Sequence, residues 1–252
     1  MNMKRIFFCC ILSIFIAAGA MAQVKKVPAT TAPATTVKKA APAAKTAPKP
    51  ATAQEVNPGK TKVKITTDLG VVVVRLYDAT PKHRDNFIKL VKQGFYDSLL
   101  FHRVIQGFMI QGGDPMSKNA QPGVMLGMGG GDMERIPAEF NSKLCHIKGA
   151  LAAARDGNPE KASSACQFYI VQGNIVSDPE LDALQQQKGI KYTPAQRAAY
   201  KTKGGTPFLD MDYTVYGEVV SGLDVIDKIA AAPGDASNRP NKDVHMKMEL
   251  LP

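Results

Sequence analysis

The sequence predicts a mainly-β fold, with a sheet closed into a barrel and helices as its lids. Two observations carry that expectation. Short runs rich in β-branched and aromatic residues recur from about Lys60 to the C-terminus, separated by turn residues. Among them only two stretches have the apolar spacing of an amphipathic helix, and a chain of many short strands with few helices disposes of its sheet edges by closing.

VKITTD (63–68) and VVVVRLY (71–77) are β-rich runs joined at Asp68-Leu69-Gly70, which reads as a hairpin. Thr80 then stands as the N-cap of a helix with Pro81 at its first position. Phe87, Leu90 and Val91 form its buried stripe and Gly94 ends it. FHRVI (101–105) and FMIQ (108–111) read as strands around a Gln106-Gly107 turn, and an irregular Gly-rich stretch runs on to Gly131. ALAAA (150–154), QFYIVQ (167–172), YTVYGEVV (213–220) and VHMKMELL (244–251) are further strands. Between the last two, Leu223, Ile226, Ile229 and Ala230 mark the second helix. Residues 173–206 break the rhythm: they are polar, Gln/Lys-rich and helical in tendency, with a helix opening at Thr193-Pro194 and ending at Gly204-Gly205. This is a helical insertion, most simply a solvated surface element, placed just before Phe208.

The N-terminal quarter has a different composition. Lys4 and Arg5 precede an apolar run, and Ala20-Met21-Ala22 forms a small-x-small cleavage site, so residues 1–22 read as a signal peptide. The run is shorter than the roughly 20 apolar residues of a spanning helix, which favours export over stable membrane insertion. Residues 23–58, rich in Ala, Pro, Thr and Lys, lack the apolar area to offset chain entropy and read as a disordered linker. The globular domain is expected at 59–252. The net charge is +10, but residues 1–58 hold eight Lys/Arg against one Glu. The domain is thus close to balanced, which argues against a nucleic-acid-binding face. Export makes the compartment periplasmic or envelope-associated. Oligomeric state leaves no mark in the sequence.

Two cysteines, Cys145 and Cys166, remain after cleavage, either as a pair or as two buried thiols. They and the four histidines show no metal-ligand spacing, so no metal and no redox cofactor is expected.

The chemistry concentrates in FHRVIQGFMIQGGD, residues 101–114. By period two, Phe101, Arg103 and Ile105 share one face, and Met109 and Gln111 share a face on the next strand. Gln111 has the length to hydrogen-bond Arg103 and fix its direction, while His102 points away and reads as structural.

This motif, with GALAAAR, SSACQFYIV and FLDMDYTVYGEV, resembles the cyclophilin family of peptidyl-prolyl isomerases over about Lys60 to Leu251. The resemblance implies an eight-stranded antiparallel barrel closed by two helices, with an active groove on its outer face. It puts the catalytic arginine at Arg103 and groove-lining residues at Phe108, Met109 and Gln111. The family's Ala-Asn pair, which holds substrate backbone, falls on Ala154 and Arg155. Its second glutamine falls on Gln167, its pocket-floor phenylalanine on Tyr169, its Trp-Leu pair on Phe208-Leu209 and its groove histidine on Tyr213. Tyrosine at 169 brings a hydroxyl that needs a partner, and phenylalanine at 208 lacks an indole N–H, which predicts weakened cyclosporin binding.

The implied reaction is rotation about X–Pro bonds of polypeptides, over a barrier of about 18–20 kcal/mol. No bond breaks, so the reaction asks for no nucleophile, metal or cofactor. A rival of another class is a proline-binding chaperone or scaffold module with little turnover.

Overall fold

Thr67 Oγ1 donates to the Gly70 carbonyl (2.8 Å) and accepts from the Leu69 amide (3.1 Å), which tightens the first hairpin. It joins β1 (Pro58–Thr67) to β2 (Gly70–Tyr77). The computed structural model describes residues 58–252. The expected signal peptide, and the linker apart from Pro58, lie outside the described residues.

Seven more strands follow: β3 (Leu99–Leu100), β4 (Arg103–Ile105), β5 (Met109–Gly112), β6 (Ala150–Ala153), β7 (Phe168–Val171), β8 (Val215–Ser221) and β9 (His245–Leu251). All pair antiparallel, in the order β3-β9-β1-β2-β8-β6-β7-β5-β4. The expected closed eight-stranded barrel is not what forms. The sheet has nine strands, and its edge strands β3 and β4 are separated in the chain by only Phe101 and His102. Those two residues leave strand geometry: the Phe101 amide bonds the Val244 carbonyl at 2.9 Å, and the next ladder-like bond runs from Val104 to Asn238 at 2.8 Å. The sheet is therefore curled and open in its ladder, where an unbroken strand over FHRVI would have closed it.

Phe101 is turned inward by this break and packs edge-on against Phe168 (6.1 Å between centroids), so it does not share a face with Arg103. From Arg103 onward alternation holds. Val104, Ile110, Leu151, Phe168 and Ile170 point into the main core. Met109, Ala152, Ala154, Tyr169 and Val171 point the other way into a second cluster, with Ile105, Phe108, Leu209 and Tyr213 packed against it. Every residue of β6 and β7 is buried, so these strands are covered on both faces.

Two helices cover the sheet. α1 (Pro81–Lys92) buries Phe87, Leu90 and Val91 as expected. The Thr80 hydroxyl makes no capping bond; Glu139 instead accepts from the amides of Lys82 (3.1 Å) and His83 (3.0 Å), a carboxylate at the positive end of the helix. α2 (Asp178–Lys188) and α3 (Pro194–Lys203) form the insertion, and α4 (Leu223–Ala230) is the second cover. In α4 the buried stripe is Val225, Ile226, Ile229 and Ala230, while Leu223 is exposed.

The insertion has a core of its own. Leu181, Tyr192, Ala199 and Tyr200 pack with Cys145, Ile147 and Val176. α3 opens with a reciprocal cap, Gln196 amide to Thr193 Oγ1 (3.2 Å) and Thr193 amide to Gln196 Oε1 (2.8 Å). Its end is fixed by close approach: a Cβ on Gly205 would lie 2.3 Å from the His146 carbonyl oxygen. Cys145 belongs to this cluster and Cys166 to the main core, and no disulfide joins them. Burial pushes both thiols up, leaving them protonated.

Candidate active site

Arg103 on β4 and Gln111 on β5 are direct register partners. Arg103 Nη1 donates to Gln111 Oε1 at 3.1 Å, and Gln111 Nε2 donates on to Gln167 Oε1 at 3.0 Å. Gln167 Nε2 then donates to the carbonyls of Gly127 and Gly129, each at 2.9 Å. A guanidinium has only donors and a carbonyl only acceptors, so both amides between them have one allowed orientation. The arginine is therefore aimed by a chain that ends on backbone. Its guanidinium carbon also lies 5.9 Å from the centre of the Phe108 ring, within cation–π range.

The Gly-rich stretch supplies that backbone end. Asp114, fully buried, accepts from the amides of Met116 (2.7 Å) and Gly127, and a Cβ on Gly129 would fall 2.0 Å from Asp114 Oδ1. Arg239, buried against Asp243, donates to the carbonyls of Gln121 (2.9 Å) and Ala120 (3.1 Å) and holds the start of the stretch. Neither Asp114 nor Arg239 stood out in the sequence, although Asp114 closes the FHRVIQGFMIQGGD motif.

Arg103, Phe108, Met109 and Gln111 border one side of a cavity of about 330 Å³. Ala154, Arg155, Tyr169, Leu209 and Tyr213 border the other, with Leu126 and Met128 of the Gly-rich stretch as an apolar lip. His102 borders the same cavity, contrary to the alternation argument, because the strand does not extend back through it. Gln167 stands behind Gln111 and borders a neighbouring recess of about 380 Å³, which shares Gln111, Ala154 and Arg155 with the main cavity. Phe208 sits at the rim, half exposed, its ring 5.7 Å from that of Phe108.

The replacements are each built in. Arg155 lies over the Tyr213 ring (4.5 Å from its centre), and its Nε donates to the Asp212 carbonyl at 3.0 Å. Arginine thus closes the gap between β6 and the 208–213 segment. The Tyr169 hydroxyl faces away from the cavity toward His146, fully buried, with Oη 2.9 Å from Nε2. His146 Nδ1 and the His146 amide both reach Asp210 Oδ1 at 2.8 Å. Since a carboxylate accepts, Nδ1–H donates to Asp210, which leaves Nε2 to pair with the hydroxyl of Tyr169, whose phenol burial pushes well up and keeps protonated. Asp210 Oδ2 accepts from Tyr192 (3.0 Å) and Tyr200 (2.6 Å). The ring of Tyr169 stays on the cavity side with Tyr213 edge-on to it at 6.0 Å, and the floor remains apolar.

Fold and cavity together define a class: a curled antiparallel sheet carrying, on its outer face, an apolar pocket with a fixed guanidinium beside it. Residues 62–249 match the family model described as cyclophilin type peptidyl-prolyl cis-trans isomerase/CLD. A Staphylococcus saprophyticus protein bearing the name peptidyl-prolyl cis-trans isomerase is 35% identical over 193 residues, covering 75% of this chain and 91% of that one. A Streptococcus pyogenes protein named as a bifunctional phosphatase/peptidyl-prolyl cis-trans isomerase is 38% identical over 188 residues, 73% of this chain but only 37% of the relative. Two structures of a Cryptosporidium parvum cyclophilin type isomerase share the fold. One has a TM-score of 0.55 at 22% identity, covering 76% of this chain and 98% of that one. The other, solved in the presence of the dipeptide Ala-Pro, has a TM-score of 0.53 at 23% identity, covering 75% and 97%. The chain belongs to the cyclophilin-type peptidyl-prolyl cis-trans isomerase family.

Proposed function

We propose that this chain accelerates cis/trans exchange of X–Pro bonds in polypeptides folding outside the cytoplasm, with Arg103 as the catalytic donor. The observation that carries the reading is the one-way chain from Arg103 through Gln111 and Gln167 to the Gly127 and Gly129 carbonyls. It holds a permanent charge in one direction beside an apolar pocket.

Uncatalysed exchange takes tens to hundreds of seconds, because rotation sacrifices amide resonance. Midway through the rotation the prolyl nitrogen turns pyramidal and gains a lone pair. A donor fixed in advance and aimed at that nitrogen stabilises the twisted state more than either planar one. Arginine suits the task, being always charged and rigidly planar. Met109, Tyr169, Leu209 and Phe108 grip the proline ring, Ala154 and Arg155 hold the backbone beside it, and the acyl side rotates. That the Cryptosporidium parvum relative was solved in the presence of the dipeptide Ala-Pro is in keeping with a proline-containing substrate.

Export rests on Lys4, Arg5, the apolar run and Ala20-Met21-Ala22. Among the described residues no helix is long and apolar enough to cross a membrane. Phe208 in place of tryptophan leaves the rim without an indole N–H, so cyclosporin binds more weakly than to relatives that keep it. The test of the reading is proline-limited refolding of a substrate protein. The wild-type chain shortens the slow phase and Arg103→Ala does not. Equal slow phases with tight binding of the unfolded substrate would mark a chaperone instead.

A further inference from the structure

We infer that the α2–α3 insertion is a positioning element of the groove: it sets how tightly the wall and floor hold the proline ring, without taking part in rotation. The inference rests on the isomerase reading above and extends it to residues that touch no substrate.

Two sets of contacts lead from the insertion to the cavity, and both end on atoms of groove residues or their immediate neighbours. The first is buried. Tyr192, between the helices, and Tyr200 of α3 donate to Asp210 Oδ2, Asp210 Oδ1 holds His146, and His146 Nε2 holds the Tyr169 hydroxyl under the floor. The second is at the surface. Lys188, the last residue of α2, donates from Nζ to the Phe208 carbonyl (2.6 Å), the Asp210 carbonyl (2.9 Å) and the Asp212 carboxylate. One ammonium thus ties three points of the segment that carries Leu209 and Tyr213. It uses all three of its donors in doing so.

Asp212 binds the same segment from the other side. Its carboxylate also pairs with Lys161, and its carbonyl takes Arg155 Nε. Burial works to raise the Asp212 carboxyl, but Lys161 and Lys188 hold it below the usual range, so the tie is fully charged at neutral pH. The insertion is itself firmly seated: Gln196 Nε2 reaches the Ser142 carbonyl at 2.8 Å, and Arg197 joins α3 to Asp178 and Asp182 of α2. A seated body with several bonds to one wall is a support.

The wall grips the proline ring alike in the planar and twisted states, since only the acyl side rotates. Loosening it therefore removes uniform binding, which weakens affinity and leaves the rate at saturation unchanged. Losing Arg103 removes an interaction made in the twisted state and lowers that rate. The two effects are separable in one experiment.

The full chain is titrated by NMR with a short peptide containing one Ala-Pro bond, reading the dissociation constant from shifts and the exchange rate at saturation. Wild type, Arg103→Ala, Lys188→Met, Tyr200→Phe and the exposed control Lys191→Met are compared, with a thermal melt of each. Lys188→Met and Tyr200→Phe are expected to bind the peptide on the order of fivefold more weakly, the scale of one net hydrogen bond. Their exchange rate at saturation stays at the wild-type value, and Lys191→Met matches wild type throughout. Lys188→Met lies at the surface and decides the matter should Tyr200→Phe fail to fold. Wild-type affinity in Lys188→Met, or an equal loss in Lys191→Met, overturns the inference. A wild type no faster than Arg103→Ala overturns the isomerase reading itself, and this inference falls with it.

Discussion

The phenol of Tyr169 and the imidazole of His146 are stacked at 6.0 Å with 13° between their planes, and Oη lies 2.9 Å from Nε2. A hydroxyl under an apolar pocket is thereby satisfied on the side away from the cavity. Tyr169→Phe keeps the ring but cuts its tie to His146 and orphans a fully buried Nε2. The expected cost is about 1–3 kcal/mol, the penalty for one buried unsatisfied group. Urea unfolding of the variant measures it; an unchanged midpoint would mean that the bond contributes nothing.

Gln111 orients Arg103 and is itself oriented by Gln167. In Gln111→Leu the guanidinium keeps its charge and loses its aim. Hydrogen bonds to charged groups are worth roughly 1.5–3 kcal/mol, so the turnover rate should fall about 10- to 100-fold with the fold intact. Single-turnover exchange spectroscopy reads this, and a variant as fast as wild type would contradict the relay.

Gly129 presses against the Asp114 carboxylate, with no space for a Cβ. Gly129→Ala displaces the carbonyl that receives Gln167 and overpacks a fully buried acid. The expected loss is about 1–3 kcal/mol, together with reduced turnover, because the relay ends there. Gly131→Ala, where a Cβ meets nothing within 4 Å, is the matched control and should behave as wild type.

His102 gives the protein an acid weakness. Burial holds its ring well below the ordinary value, down to about 4, with Asp114 opposing and Arg103 adding to the shift. The unfolded chain takes up that proton near pH 6.5. Between pH 6.5 and 4 the unfolded state binds more protons, so stability falls as pH falls and levels off below 4. His102→Phe removes this term, at most about 3 kcal/mol. His83, also lowered by burial, keeps a slope of the same sign in the variant. Denaturation midpoints at pH 7 and 4.5 give the comparison; identical acid losses in both proteins would rule His102 out as the cause.

Much of this was legible in the chain, and the exceptions have physical causes. The Arg103–Gln111 pair follows from alternation on two strands around a two-residue turn, a local relation. Helix α3 of the insertion follows from Thr193-Pro194 and Gly204-Gly205, which are also local, whereas α2, capped by Ser177 and Gly189, is not singled out in the sequence reading. Phe101 and His102 depart from the alternation that the sequence predicts, because a break in strand geometry leaves no mark in a run of β-forming residues. The same break separates nine strands with an open ladder from the expected closed eight. His146 and Asp210 meet across 64 positions, and Lys188 reaches a wall 20 or more residues away. No periodicity encodes such contacts. Tyrosine at 169 announced that a partner was needed, but only the fold could name His146.

The central claim is that Arg103 stabilises the twisted prolyl amide. It is tested most directly by exchange NMR on an Ala-Pro peptide with catalytic amounts of wild type and Arg103→Ala. If the donor contributes on the order of 3–4 kcal/mol, as one oxyanion-hole donor does, the variant loses about 100- to 1,000-fold in rate. The variant should still bind the peptide and melt as wild type does. Equal exchange rates in the two proteins would contradict the account.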